Sequence, residues 1–411
     1  MDMGAPDADD EVLLEDIDLF DPDGYRLGRP HVALRTLRHR APVWRQARPG
    51  QPAFWSLTGY ETVARAIKDT AGLSSTHGNI LDIAEKGDSA GGHTLSLMDP
   101  PDHGLLRGPT IRTMSNFVMR DRTERTRARL QALLEPCFEG GTVDFARLAL
   151  DLPMLAVGEI IGIPESLWPE IPTLTLSGVA PQDPVYAAGT DIRTLAKAHM
   201  RIFGIFGELL AQRRRKPRED LITMLADVDF GERRLTDQQV MLNCYSMIMG
   251  ANTTTPNVAA HLVLALANDP TAWKRVKDSP GMAEAVVAEA VRWTTPTNHV
   301  MRKATTDLDI DGHRITKGEI VALWLASANR DETVFQDPYT FDPGRTPNPH
   351  LAFALGPHYC VGAPAARLVL RLLVEELAER VEEITLDGPV EHLASNFING
   401  ITRMPVRFAM A

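Results

Sequence analysis

One cysteine in this chain is placed for chemistry as well as for packing. Cys360 lies in Phe353-Ala354-Leu355-Gly356-Pro357-His358-Tyr359-Cys360-Val361-Gly362, just before a run from Pro364 to about Arg380 that reads as a helix. Gly356 and Gly362 permit a tight turn and a close approach of backbone to something flat. Pro364 suits a first helical turn, where a missing N–H costs little. A sulfur at a helix N-terminus meets unpaired N–H groups and the positive end of the dipole, and both favour thiolate over thiol. The plain alternative is a core cysteine at a loop–helix junction. A buried thiolate needs a partner, however, and a metal ion is one. The other two cysteines, Cys137 and Cys244, are far away in sequence. No cage of several sulfurs for zinc or an iron–sulfur cluster is therefore indicated. One sulfur, one metal and a flat neighbour imply haem iron with an axial thiolate.

Three further groupings carry chemical potential. His103 and Arg107 follow Asp99-Pro100-Pro101. The prolines suit a helix start. Four residues apart, the two side chains share one helical face and can donate to an anion. Without that lead-in such a pair is more often a solvated face. Met249-Gly250-Ala251-Asn252-Thr253-Thr254-Thr255-Pro256 lies in the middle of an apolar helical run. Pro256 has no N–H, so the carbonyl of Asn252 loses its helical donor. Gly250 loosens the same turn, and the threonine hydroxyls can bond the freed carbonyls. The expected result is a local opening lined by polar groups; a kink without chemistry is the alternative. Glu289 and Arg292 are three apart and can pair, which on a surface is worth only about 0.3–0.5 kcal/mol.

The pattern Phe353-x-x-Gly356-x-His358-x-Cys360-x-Gly362 resembles the haem loop of the cytochrome P450 family of haem-thiolate monooxygenases. Ala354 stands where that family commonly has Gly, and Ala365 where it commonly has Leu. The resemblance extends from about Pro42 to Phe408 and assigns roles to the groupings above. It implies haem b, ligated by Cys360 and contacted by Phe353 and Gly362, with propionates held by His103, Arg107, Arg302 and His358. It places the helix break on the oxygen side of the haem, where the family pattern is Gly-x-acid-Thr. Gly250 and Thr253 match that pattern, and Asn252 occupies the acid position. An amide cannot titrate, so proton delivery would fall to Thr253 and Thr254 with water. The resemblance makes Glu289 and Arg292 a buried structural pair, joined by Arg345 from Phe341-Asp342-Pro343-Gly344-Arg345. Met249, Thr297, Val300 and Ile398 are the expected substrate contacts. Ile398 would sit at a hairpin tip within Asn396–Ile401.

The elements that must hold these residues are mostly helical. Thr236-Asp237-Gln238-Gln239 has the form of a capping box. The helix it opens can run to Asn268, a length that suits a helix crossing the core. Pro42–Arg45 and Phe54–Thr58 read as strands, as do Ile310–Ile315 and Glu319–Leu325. Gly72–Thr94 has no clear pattern and reads as a long functional loop, which the resemblance makes a pocket roof. Val143–Ile163 reads as core, and Leu174–Tyr186 as a mobile lid connection. Helices outnumber strands, so the fold class is mainly α with minor β. The resemblance supplies a cytochrome P450 fold, with haem between the long kinked helix and the Cys-bearing loop–helix. The expected organisation is a single domain over 1–411, with about 1–25 as a frayed acidic segment.

Bulk properties narrow the functional class. The chain has 411 residues, 44% of them hydrophobic, enough for a large core. A net charge of −11 speaks against nucleic-acid binding. Three widely spaced cysteines imply no disulfide framework and fit a reducing compartment. No basic, apolar leader opens the chain, so a cytoplasmic protein without a membrane anchor is expected. Arg107–Arg129 holds seven arginines against Asp121 and Glu124. This reads either as a solvated face or as a docking patch for an acidic redox partner, with Arg112 and Arg120 its foremost members. The expectation is a monomeric monooxygenase acting on an apolar small molecule in natural-product tailoring. Ferredoxin, with its reductase, would deliver electrons from NAD(P)H. The rival readings are a peroxide-driven or oxidative-coupling enzyme, suggested by Asn252, and a non-enzymatic haem sensor or electron carrier.

Overall fold

A 32-residue helix, Asp237–Asn268, forms the axis of the molecule. The computed structural model describes residues 10–28, 30–180, 183, 185–186, 189–229 and 233–411. Thr236 opens the axial helix as its sequence requires. Thr236 Oγ1 accepts from the Gln239 N–H at 3.2 Å, and Gln239 Oε1 accepts from the Thr236 N–H at 3.0 Å. Every residue from Thr255 to Leu266 is buried. A helix buried all round has to run through the core. It packs against the helices Leu152–Ile161, Ile171–Val179, Asp191–Arg215 and Ala283–Thr294.

The second positioning element is the helix Ala363–Arg380, with Pro364 in its first turn. It packs on the helices Asn116–Leu134, Leu152–Ile161 and Ala283–Thr294. To one side lies a five-stranded sheet in the order Val43–Gln46, Phe54–Leu57, Ile320–Leu323, Val300–Ala304, Leu73–Ser74. Only the Phe54–Leu57 and Ile320–Leu323 pair is parallel. All four residues of the central strand Ile320–Leu323 are buried, as expected of a strand covered on both faces. A smaller sheet joins Thr142–Asp144, Pro405–Met410 and Val381–Leu386. Among the described residues no helix is long and apolar enough to cross a membrane.

Three expectations are corrected. The acidic opening is not frayed to residue 25: Ile17, Leu19 and Tyr25 are buried in a cluster with Trp324, and only the residues before Asp10 lie outside the description. Acidic neighbours hid these apolar anchors. The stretch from Leu174 is not all lid connection either. Ile171–Val179 is a helix with Thr175 and Leu176 buried, while 181, 182 and 184 lie outside the described residues. The arginine run is largely neutralised by acids distant in sequence. Arg125 and Arg129 pair with Glu159, and Arg127 pairs with Glu375 and Glu376.

Candidate active site

The axial helix and the Ala363–Arg380 helix enclose a cavity of 320 Å³. Cys360 lines it, alone among the three cysteines. The segment before Cys360 turns back on itself through the single turn Gly356–His358: the Cys360 N–H donates to the Phe353 carbonyl at 2.8 Å, closing a loop ahead of the sulfur. Gly356 has φ +67°, a conformation glycine adopts at no steric cost. Ala354 has φ +57° at the position where the resemblance expects Gly, so this loop holds a side chain in the left-handed region. Arg367 lies 4.9 Å over the Phe353 ring and fixes it against the loop. Burial pushes the Cys360 thiol up. The N–H groups of Gly362 and Ala363, with Arg107 and Arg367, pull the other way without overcoming it. A cation at the sulfur would add to that downward pull and favour the thiolate.

The axial helix faces the sulfur with Ser246, Met247, Gly250, Ala251, Thr254, Thr255 and Val258. Their spacing of three and four is one helical face. Thr254 Oγ1 donates to the Gly250 carbonyl at 2.6 Å, holding its hydroxyl against that turn, and the helix runs unbroken through Gly250 and Pro256. Asn252 does not line the cavity. It is buried on the other side of the helix, its Nδ2 donating to the Ile248 carbonyl at 2.9 Å and reaching Met154 Sδ at 3.7 Å. Thr253 is likewise buried outside the cavity and donates to the Met249 carbonyl at 2.8 Å. The tertiary arrangement thus moves the oxygen-side hydroxyl from Thr253 to Thr254 and removes position 252 from the wall. Met249 also turns away, its methyl lying 3.3 Å from where a side chain on Gly178 would begin.

A basic corner closes one end. His103, Arg107 and His358 line the cavity, and the two imidazole rings lie with centroids 4.4 Å apart, tilted by 48° to each other. Arg107 donates to the Tyr359 carbonyl at 2.6 Å. His358 Nε2 lies 3.2 Å from Ser75 Oγ, and His103 Nε2 is buried with no partner. Arg302 stops short of the cavity: it is buried, held by Asn79 Oδ1 at 2.9 Å and the Met301 carbonyl at 2.7 Å. Asn79 stands at the wall in its place. Burial, then Arg302, His103 and Arg107, drive His358 down to about 3. Burial and Arg107 lower His103 as well. Among the described residues no carboxylate bonds any of these four bases, so the corner is complementary to anionic groups brought from outside the chain.

Beneath the cysteine side lies a fully buried ion pair. Arg292 Nε and Nη2 each donate to a Glu289 oxygen at 2.8 Å. Arg345 Nε reaches both oxygens at 3.1 Å, and Asn348 adds a further donor. The remaining Arg292 donors go to the carbonyls of Asn329, Pro338 and Thr340. This set ties the Ala283–Thr294 helix to the segment before the cysteine loop. None of its three charged residues lines the cavity.

Of the expected substrate contacts, Thr297 and Val300 line the cavity, and Met249 and Ile398 do not. Ile398 pairs with Thr297 in an isolated bridge and is buried among Leu176, Ala180 and Leu393. Its neighbour Phe397 reaches the cavity instead, since adjacent residues of an extended segment point to opposite faces. Sequence reasoning missed Asn79, Ser96 and Ser246. Ser246 was findable by counting two turns back from Thr254. Asn79 and Ser96 lie in poorly patterned stretches that gave no such signal.

The family profile described as Cytochrome P450 matches residues 281–389. Cytochrome P450 NovI of Streptomyces niveus is 32% identical over 404 residues, covering 96% of this chain and 97% of its own. The chain belongs to the cytochrome P450 family. Linalool 8-monooxygenase of Pseudomonas putida is 30% identical, with 96% of this chain and 99% of its own covered. The structure of P450 OxyD, involved in the biosynthesis of vancomycin-type antibiotics, superposes with a TM-score of 0.87 at 31% identity, over 96% of this chain and 100% of that one. The P450 fold and the monooxygenase class follow, as does a cysteine-ligated haem. The residues present fit that group. Among the described residues no three His, Cys, Asp or Glu side chains converge as a metal cage. A metal at Cys360 must therefore bring its other ligands with it, as haem iron does. The basic corner, with the orphaned His103 Nε2, suits carboxylates at the edge of such a ligand.

Proposed function

We propose that this P450 inserts one oxygen atom from dioxygen into an apolar small molecule, by hydroxylation or epoxidation, in natural-product tailoring. Cys360 would hold the haem iron; His103, Arg107 and His358 would hold its carboxylates. Bound there, haem supplies dioxygen activation, with the thiolate's electron donation favouring O–O cleavage. The observation that carries the reading is the Thr254 hydroxyl, which lines the same cavity as Cys360 and bonds the Gly250 carbonyl. Thr254 can pass its proton inward, take another from water and return to the Gly250 carbonyl. Apolar walls, among them Val157, Val258, Val300 and Phe397, exclude bulk water and orient the substrate. The overall change is substrate plus dioxygen, two electrons and two protons, giving oxygenated product and one water.

A ferredoxin, reduced from NAD(P)H by its reductase, is the proposed electron donor. Arg112 and Arg120 are exposed and make no ion pair among the described residues, and Phe117 between them is 73% exposed. An apolar centre flanked by cations suits an acidic partner that must dock and leave. Similarity to OxyD, which is involved in antibiotic biosynthesis, supports a biosynthetic role. The peroxide-driven alternative drew on an amide in the proton relay, and with Asn252 outside the cavity that support is gone. Turnover with ferredoxin, its reductase and isotopically labelled dioxygen tests the reading: one labelled atom should appear in the product. Label-free product, or turnover on peroxide alone at the same rate, would overturn it.

A further inference from the structure

Two hydroxyls in the cavity have no part in holding haem or moving protons. Ser96 and Ser246 both line it, and their Oγ atoms are 3.0 Å apart. They come from separate parts of the chain: Ser96 from the single turn Leu95–Leu97, Ser246 from the axial helix. Other contacts fix the pairing. Asn243, one turn before Ser246, accepts from the Leu95 N–H at 2.9 Å and donates to the His93 carbonyl at 2.9 Å. Asn79 Nδ2 approaches the Ser96 carbonyl at 3.5 Å. The turn bearing Ser96 is thus pinned to the helix bearing Ser246 by contacts of the chain itself.

The pair has hydrogen-bonding capacity to spare. A hydroxyl offers one donor and two acceptor sites. The contact between the two uses one proton, and among the described residues the only other partner is Thr94 Oγ1, 3.4 Å from Ser96 Oγ. Thr253 and Thr254 on the same helix turn back to carbonyls four residues earlier; among the described residues Ser246 makes no such bond. When Thr94 is the donor to Ser96, one proton of the pair is left free, and in either direction several lone pairs are left, in a wall that includes apolar side chains such as Leu95 and Met247. Ser246 also stands eight residues from Thr254, roughly 12 Å along the helix axis.

We propose that Ser96 and Ser246 form a specificity site that receives a neutral hydroxyl or carbonyl oxygen of the substrate, at the end remote from the carbon that is oxidised. The substrate class is then an oxygenated hydrocarbon, an alcohol or a ketone, in preference to a pure hydrocarbon. A carboxylate would lose its solvation against two uncharged hydroxyls without gaining a cation from them. Which end of the substrate is oxidised rests on the monooxygenase reading; the hydroxyl site itself does not.

The test uses the haem-loaded protein and two matched probe series, 1-alkylimidazoles and 1-(ω-hydroxyalkyl)imidazoles of increasing chain length. The imidazole anchors one end, and the shift in haem absorption reports affinity. In the native protein the ratio of hydroxylated to plain affinity should peak at one chain length. In Ser96→Ala/Ser246→Ala that ratio should fall on the order of tenfold, the loss expected when a buried hydroxyl loses its partners. Plain alkylimidazoles should bind both proteins within about twofold of each other, since their contacts are unchanged. Ser246→Thr, which keeps a hydroxyl, should retain the preference and guards against a general packing effect. A ratio that is flat with chain length, or unchanged in the double variant, overturns the proposal. Failure of the plain alkylimidazoles to shift the haem absorption overturns the placement of haem at Cys360, whereas absence of the hydroxyl preference in the native protein, with their binding intact, overturns the specificity site alone.

Discussion

Asn252 and Thr254 are two positions apart and about 200° apart around the helix. That rotation separates a core amide from a cavity hydroxyl. Asn252 Nδ2 is satisfied by the Ile248 carbonyl, while its Oδ1 is buried without a partner. Thr254→Ala removes the only hydroxyl on this helix that bonds Gly250. Product formed per electron pair should fall on the order of 10²-fold, the scale of a lost proton-transfer group, with haem content unchanged. Comparing product formed with reductant consumed checks it. Asn252→Asp should leave that ratio unaltered and instead destabilise the protein by about 3 kcal/mol, because the new charge has no partner in the core. Denaturant midpoints measure this, and improved coupling in Asn252→Asp would contradict the placement of residue 252.

Between elements, the consequential contacts are those that aim the two walls of the cavity at each other. Glu289 accepts from Arg292, Arg345, Asn348 and the Asp342 N–H, and both Glu289 and Arg292 are fully buried. A fully desolvated carboxylate is tolerable only with this many donors. Glu289→Ala leaves Arg292 buried and uncompensated, so a loss of about 3–5 kcal/mol is expected. The damage should spread to the cysteine loop through the segment Arg345 holds. Thermal unfolding followed by circular dichroism, with haem retention after gel filtration, would show both effects. An unchanged melting temperature would mean that the pair does not hold these elements together.

Over the whole molecule, charge and burial set the response to partner and to pH. Arg122 lies near Asp121, and Arg125, Arg127 and Arg129 are held by acids elsewhere in the chain. Arg112 and Arg120 remain as exposed charges. Reversing both, as Arg112→Glu/Arg120→Glu, should slow ferredoxin-supported turnover roughly tenfold at low salt and flatten its salt dependence. Substrate-induced spectral shifts should not change. The pH response follows from neutral imidazoles in the core. Burial holds His261 and His299 down at about 3 and His392 at about 4. Below about 6.5 the unfolded chain gains protons at these positions and the folded chain does not. Stability present above that pH should therefore be lost progressively towards about pH 4. Urea midpoints of the haem-free protein at pH 7.5 and 5.0 test the sign; a midpoint that rises on acidification would refute it.

Local signals settled much of this protein without any coordinates. The capping box, the apolar run behind it, the glycines around Cys360 and the paired Glu289 and Arg292 are each read within a few residues, because hydrogen-bonding and turn geometry act at that range. Other features depend on where an element is rotated and what lies across from it. The turn of the axial helix chose Thr254 over Thr253 and Asn252. The extended strand at the C-terminal hairpin chose Phe397 over Ile398. Glutamates far away in sequence neutralised much of the arginine run, apolar anchors at Ile17, Leu19 and Tyr25 packed into the core, and burial pushed the Cys360 thiol up. Those outcomes are set by packing between distant segments, a property that no single stretch of sequence contains.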